Sequence, residues 1–175
     1  MISTIGVIGA GSTGRAIAAL AAQAGYRTIL EAISQEFLDD AVADIRDNIL
    51  EPHQKDRALA NLSTSRSVED VCRQADLLIE SAQEEMEVKL EIFTLFDKFA
   101  IPAAILASTS ETISITDLAE ITFRGENCVG LHFRNPHHPT GQLEIVRTGE
   151  TSDATVAACL EVGKKIGRET QVSKI

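Results

Sequence analysis

The sequence predicts a doubly wound α/β domain with a mostly parallel sheet, and three observations carry that prediction. Short apolar runs of strand length alternate with amphipathic helical patterns along the whole chain. A glycine-rich turn, Gly9-Ala10-Gly11-Ser12-Thr13-Gly14, separates the first apolar run from the first helical pattern. The 175 residues, 44% hydrophobic and 24% charged, suit one domain (1–175) with a sizeable core.

The elements follow in order. Ile2 to Ile8 reads as the first strand. A helix starts at Ser12, with Ala16, Ile17, Leu20, Ala21 and Ala24 on one face and Gly25 as its stop. Thr28 to Glu31 is a short second strand, and Phe37, Ala41, Ile45 and Ile49 mark a helix ending near Pro52. Residues 53–61 are polar and read as helix or loop. Leu62 to Ser65 is a strand and Val68 to Gln74 a short helix. Leu77 to Ile79 forms a buried strand between Asp76 and Glu80. Val88, Ile92, Leu95, Phe96 and Phe99 repeat at helical spacing, ahead of Pro102. Ala104 to Ala107 is a strand, Ile115 to Ile121 a helix, and Val129 to Phe133 and Leu143 to Val146 are strands. Ala154 to Ile166 is a helix closed by Gly167, and Thr170 to Val172 a last strand. Ligands of such sheets sit at the carboxyl ends of the strands.

The net charge of −10 speaks against general binding of nucleic acid, and 4% aromatics without Trp against base-stacking platforms. Cys72, Cys128 and Cys159 form no C-x-x-C pair and read as buried reduced thiols. None has a basic or glycine-rich setting suited to a nucleophile. The N-terminus lacks signal-peptide features, and no apolar run approaches the roughly 20 residues of a membrane span. A cytoplasmic location and no membrane partner are expected.

Each glycine of the turn has a physical task. Gly9 permits the tight turn, Gly11 lets a pyrophosphate approach the backbone, and Gly14 lets the helix pack on the strand. Amides of Gly9, Ala10, Gly11, Ser12, Thr13 and Gly14 are thus expected to hold the pyrophosphate at the positive end of the helix. Such a fold, Rossmann-like, wants an acid at the end of the second strand for the ribose hydroxyls, and Glu31 lies there. No arginine cluster replaces it, although Arg27 is near, so NAD is favoured over NADP.

The chain resembles the N-terminal domain of the 3-hydroxyacyl-CoA dehydrogenases, including the 3-hydroxybutyryl-CoA enzymes. The resemblance runs through Ile5-Gly6-Val7-Ile8-Gly9-Ala10-Gly11, Ala75-Asp76-Leu77-Leu78-Ile79-Glu80 and Ile105-Leu106-Ala107-Ser108. It continues in Gly130-Leu131-His132-Phe133-Arg134-Asn135-Pro136 and Leu143-Glu144-Ile145-Val146. It implies oxidation of the L-3-hydroxyl of an acyl-CoA, with hydride passing to NAD. The family's catalytic histidine falls on His132, a residue type whose pKa suits a base near neutral pH. Its glutamate partner falls on Glu144, which would fix the imidazole tautomer. Asn135 matches a position that bonds the nicotinamide side or braces the turn. Glu84 and Lys89 match positions near the nicotinamide ribose; on pattern alone both read equally well as solvated helix charges.

The chain departs from the family in four places. Ser108-Thr109-Ser110-Glu111 stands where the family has S-N-T-S, so Thr109 replaces a cofactor-side asparagine and Glu111 the catalytic serine. A carboxylate there either pairs with His132 or turns to solvent, leaving Ser108 or Ser110 near the site. In strict register the ribose acid maps to Ala32, so Glu31 serves only if the backbone shifts. The hairpin around Pro52 to Ala60 is shortened, and the family's C-terminal helical domain lies beyond Ile175. Two functions are therefore weighed: a dehydrogenase domain acting on an acyl-CoA, and an NAD(H)-binding module without turnover. His132, His137, His138 and Glu144 match no zinc spacing, so no metal is expected. Self-association as a homodimer, through an apolar patch or an edge strand, is the other partner expectation.

Overall fold

The computed structural model describes residues 1–175. Eight strands form one sheet in the order β3-β2-β1-β4-β5-β6-β7-β8. They are β1 (Thr4–Ile8), β2 (Arg27–Glu31), β3 (Leu62–Ser65), β4 (Leu77–Glu80), β5 (Ile105–Ser108), β6 (Cys128–Arg134), β7 (Gln142–Arg147) and β8 (Glu169–Lys174). All neighbouring pairs are parallel except β6 and β7. The helices are α1 (Ser12–Gln23), α2 (Gln35–Asp44), α3 (Lys55–Asn61), α4 (Val68–Cys72), α5 (Met86–Phe99), α6 (Ile115–Ala119) and α7 (Asp153–Lys165).

The expected α/β sheet is therefore present; its central strands β1, β4 and β5 are buried along their whole length because both faces are covered, while the edge strands β3 and β8 are polar and largely exposed. One core joins Val7, Leu30, Leu77, Val129 and Ile145 to α1 and α7. The other joins Ile8, Ile29, Leu78 and Leu106 to Phe93 and Phe96 of α5. Neighbours such as Val7 and Ile8 serve opposite cores, as strand alternation requires. The three cysteines are buried, and desolvation pushes Cys72 and Cys159 up to about 12.

Most element ends fall within two residues of the sequence reading, and two of the differences have a physical reason. The helix expected to run through Ile49 is α-helical only to Asp44, and Ile45–Ile49 widens into a π turn. Its apolar spacing continues unbroken, so side-chain period alone does not reveal the change in backbone bonding. The fourth strand includes Glu80, read as its outer boundary, because Glu80 pairs with Ile8 on one side and Ser108 on the other. Gly25 stops α1 with φ of 87°, as the glycine rule anticipates.

Candidate functional site

The strand order reverses at β1, which lies between β2 and β4, and the crevice of the sheet opens at its carboxyl end. Gly9 turns there with φ of 106°, and a Cβ on it would lie 2.5 Å from the Ser81 carbonyl. Any side chain on Gly14 would collide with the Gly9 carbonyl. Gly11 is different: its φ of −70° suits any residue, and a Cβ would meet nothing within 4 Å. The space over Gly11 is open, and that is where a pyrophosphate would approach the backbone.

The start of α1 is also prepared for an anion. Helices α2, α4, α6 and α7 open on Ser34, Ser67, Ser114 and Ser152, whose hydroxyls accept an amide of the first turn. Helix α1 opens on Gly11, with no side-chain cap and no acidic residue in its first turn. Its first amides thus lack a side-chain acceptor while carrying the positive end of the helix dipole. The residues present fit a dinucleotide.

Behind the loop after β4 lies a buried charge cluster. Glu80 is fully buried; its carboxylate accepts from Lys89 Nζ at 2.8 Å, Ser108 Oγ at 2.7 Å and the Ala82 amide at 2.7 Å. Lys89 is fully buried too and reaches Glu84 at 3.2 Å. Against the cost of burial, the Ser110 and Thr112 hydroxyls and the Lys89 ammonium hold the Glu84 carboxyl down at about 2. Lys89 is therefore not a solvated helix charge; it ties α5 to the ends of β4 and β5. Glu84 precedes α5 and remains half-exposed at the cavity edge.

Glu31 ends β2 with only 8% exposure, and desolvation, offset in part by the Gly9 amide, pushes its carboxyl up to about 7. The backbone does not shift after it: the Ala32 amide still donates to the Ser65 carbonyl at 3.3 Å. Glu31 and Ala32 accordingly take opposite faces, and the family position for the ribose acid is held by a buried alanine.

His132 and Glu144 stand directly opposite each other on the antiparallel pair β6–β7, with Nδ1 3.7 Å from Oε2. The same Glu144 oxygen accepts from Arg134 Nη2 at 2.9 Å. The Arg134 guanidinium, with further help from Ser173 and His132, holds the Glu144 carboxyl below its usual range. Glu111 does not pair with His132; it is half-exposed and lies 3.8 Å from Arg134 Nη1. Ser108 and Ser110 are both engaged elsewhere, on Glu80 and Glu84. Asn135 takes left-handed backbone with φ of 51°, which asparagine tolerates, and turns the chain out of β6.

A cavity of about 410 Å³ brings part of the predicted site together: Gly11, Ser12, Glu84, Thr109, Glu111 and Phe133 line it, whereas His132, Glu144, Asn135, Lys89 and Glu31 do not. It spans from the glycine loop to the end of β6. Sequence reasoning gave no role to Glu80 or Arg134, although both stood inside the quoted motifs. An acid closing an apolar strand, and an arginine two residues after the histidine, were the available signals. A larger cavity, about 660 Å³, lies at the amino ends of the strands between Ile2, Tyr26 and α7, remote from these residues.

The family described as 3-hydroxyacyl-CoA dehydrogenase, NAD binding domain, matches residues 4–174. A 3-hydroxybutyryl-CoA dehydrogenase of Bradyrhizobium diazoefficiens is 36% identical over 182 residues, covering 99% of this chain and 62% of that protein. The mitochondrial hydroxyacyl-coenzyme A dehydrogenase of Sus scrofa is 30% identical, covering 96% of this chain and 58% of that protein. The crystal structure of (S)-3-hydroxybutyryl-CoA dehydrogenase from Ralstonia eutropha superposes with a TM-score of 0.93 at 32% identity, over 99% of this chain and 64% of that one. The chain thus spans about three fifths of the length of these relatives. With the glycine loop, the switch-point crevice and the match over residues 4–174, the chain belongs to the family of NAD-binding domains of the 3-hydroxyacyl-CoA dehydrogenases.

Proposed function

We propose that the chain supplies the cofactor half and the acid–base pair of an NAD-dependent L-3-hydroxyacyl-CoA dehydrogenase. The observation that carries this reading is the His132–Glu144 pair, held across β6 and β7 next in sequence to Phe133, which closes the cavity that begins at Gly11. NAD, when bound, supplies the hydride acceptor. His132 takes the proton of the substrate hydroxyl as the carbon is oxidised, and returns it in the reverse direction. Glu144 stands opposite the imidazole and orients it, while Arg134 shares the same carboxylate oxygen. Gly9, Ala10, Gly11, Ser12, Thr13 and Gly14 hold the pyrophosphate. Glu31, buried beneath Gly9 on the other face from Ala32, does not take the ribose hydroxyls, and Glu84, Lys89, Thr109 and Asn135 shape the nicotinamide end. Lys89 acts there through Glu80 and Glu84, because its ammonium is buried against both.

A specific observation also favours a cofactor-binding module without turnover. Glu111 is engaged by Arg134, and neither Ser108 nor Ser110 is free to bond a substrate hydroxyl. One experiment separates the readings: NADH fluorescence followed over time with acetoacetyl-CoA, for the wild type and His132→Gln. Loss of signal in the wild type, reduced at least 100-fold in His132→Gln with NADH affinity kept, supports the dehydrogenase. Binding with a stable signal in both supports the module. Equal loss of NADH affinity and turnover in His132→Gln contradicts the base role.

A further inference from the structure

The turn between β6 and β7 crosses the cofactor crevice. Its backbone has little ladder to bond with, since Pro136 and Pro139 bring no amide hydrogen. Two internal bonds shape it: the His138 amide donates to the Asn135 carbonyl at 2.9 Å, and the Gly141 amide to the His138 carbonyl at 3.0 Å. Arg168, 7% exposed, fixes the turn from beneath. Its Nη2 donates to the Pro136 carbonyl at 2.9 Å, and its Nη1 to the carbonyls of His138 and Pro139. Carbonyls turned inward with no ladder partner need such donors, and a planar guanidinium offers several in a fixed array.

The two histidines of this turn do different things. The His138 ring stays within the turn, with Nδ1 2.8 Å from Thr140 Oγ1. The His137 ring reaches across the crevice to the first residue of α1, with Nε2 3.0 Å from Ser12 Oγ. It therefore stands beside the open space over Gly11 and the uncapped amides of α1. Other cations along this edge are already committed. Arg15 donates to the Ala10 carbonyl at 2.8 Å and to Asp44 at 3.3 Å, and Lys89 is buried against two glutamates. Asp44 faces His137 as well, so the charged groups around the imidazole are Asp44 and its partner Arg15.

We propose that His137 is a ligand of the dinucleotide's pyrophosphate, held over the Gly11–Ser12 amides by a turn that Arg168 fixes in place. The Ser12 hydroxyl and the imidazole, 3.0 Å apart, can turn from each other and both donate to a phosphate oxygen seated on the open side of the pair. In a chain of net charge −10, such a donor offsets the repulsion that an anionic cofactor meets. The proposal rests on the dinucleotide reading of the glycine loop.

The test is calorimetric titration of the wild type and His137→Ala with NADH, ADP and adenosine. His137→Ala is expected to weaken NADH and ADP about tenfold, the scale of one hydrogen bond to a charged group, and to leave adenosine unchanged. The His137 side chain is exposed, so the unfolding midpoint should not move. Equal NADH affinity in both proteins overturns the proposal. Equal weakening of all three ligands also overturns it, because a phosphate contact cannot act on adenosine. Failure of the wild type to bind NADH or ADP would remove the dinucleotide reading itself, and the proposal with it.

Discussion

Burial of the Glu31 carboxyl beside Gly9 makes folding sensitive to its charge. Its value of about 7 in the folded chain lies above the roughly 4.3 of a free glutamate. Between those two values the folded state binds more protons than the unfolded one. Stability contributed by this group is therefore full below about pH 4.3 and lost as pH rises to 7. Glu31→Gln removes the titration, so from pH 5 to pH 8 the wild type should lose about 2 kcal/mol more stability than the variant. Urea unfolding at the two pH values measures this, and parallel losses would show that the carboxyl is not desolvated. The position of Glu31 at a strand end was legible in the sequence. Its burial was not, because which face a strand's last residue takes depends on the helices packed beyond it.

At the scale of elements, the ends of β4 and β5 and the body of α5 share one ionic cluster. Glu80 accepts three bonds, and Lys89 supplies one of them from a helix nine residues later. Lys89→Met leaves Glu80 buried without its counter-charge, which costs about 3–5 kcal/mol. A midpoint shift smaller than that of an ordinary surface substitution would mean water reaches Glu80. The helical spacing of Val88, Ile92, Leu95, Phe96 and Phe99 located α5, but on its apolar face only Ile92 and Phe96 of these are buried, and Phe93 joins them. It did not reveal that Lys89 lies under that face, since periodicity treats any lysine as outward. The same limit hid the π turn after α2, where apolar spacing persists through a change in hydrogen bonding. The β6–β7 pairing needed a long-range partner, yet the H-F-x-N-P and L-E-I-V segments already marked both strands. His132 and Glu144 were expected as a pair and lie opposite each other. Of the two alternatives for Glu111, it takes the solvent-facing one, with Arg134 3.8 Å away.

At the scale of the whole molecule, the sheet separates fold from function along its strands. Amino ends are joined by bonds such as Asp76 to the Ser3 and Thr4 amides, while carboxyl ends carry Glu31, Glu80, Ser108 and His132. No helix is long and apolar enough to cross a membrane. The alternation of strands and helices could be read from sequence because each apolar run is bounded by turn residues. The join between the crevice and the β6–β7 turn could not, because Ser12 and His137 are 125 residues apart.

Gly11 allows the central claim to be tested without disturbing that fold. Its backbone suits any residue and a Cβ there meets no neighbour, so Gly11→Val should stay folded, with a stability loss of no more than about 1 kcal/mol from the poorer N-cap. The added side chain would fill the space that a pyrophosphate needs. A fluorescence titration with NADH should show saturable one-to-one binding in the wild type and at least 100-fold weaker binding in Gly11→Val. Equal binding by the two proteins would contradict a dinucleotide seated on this loop.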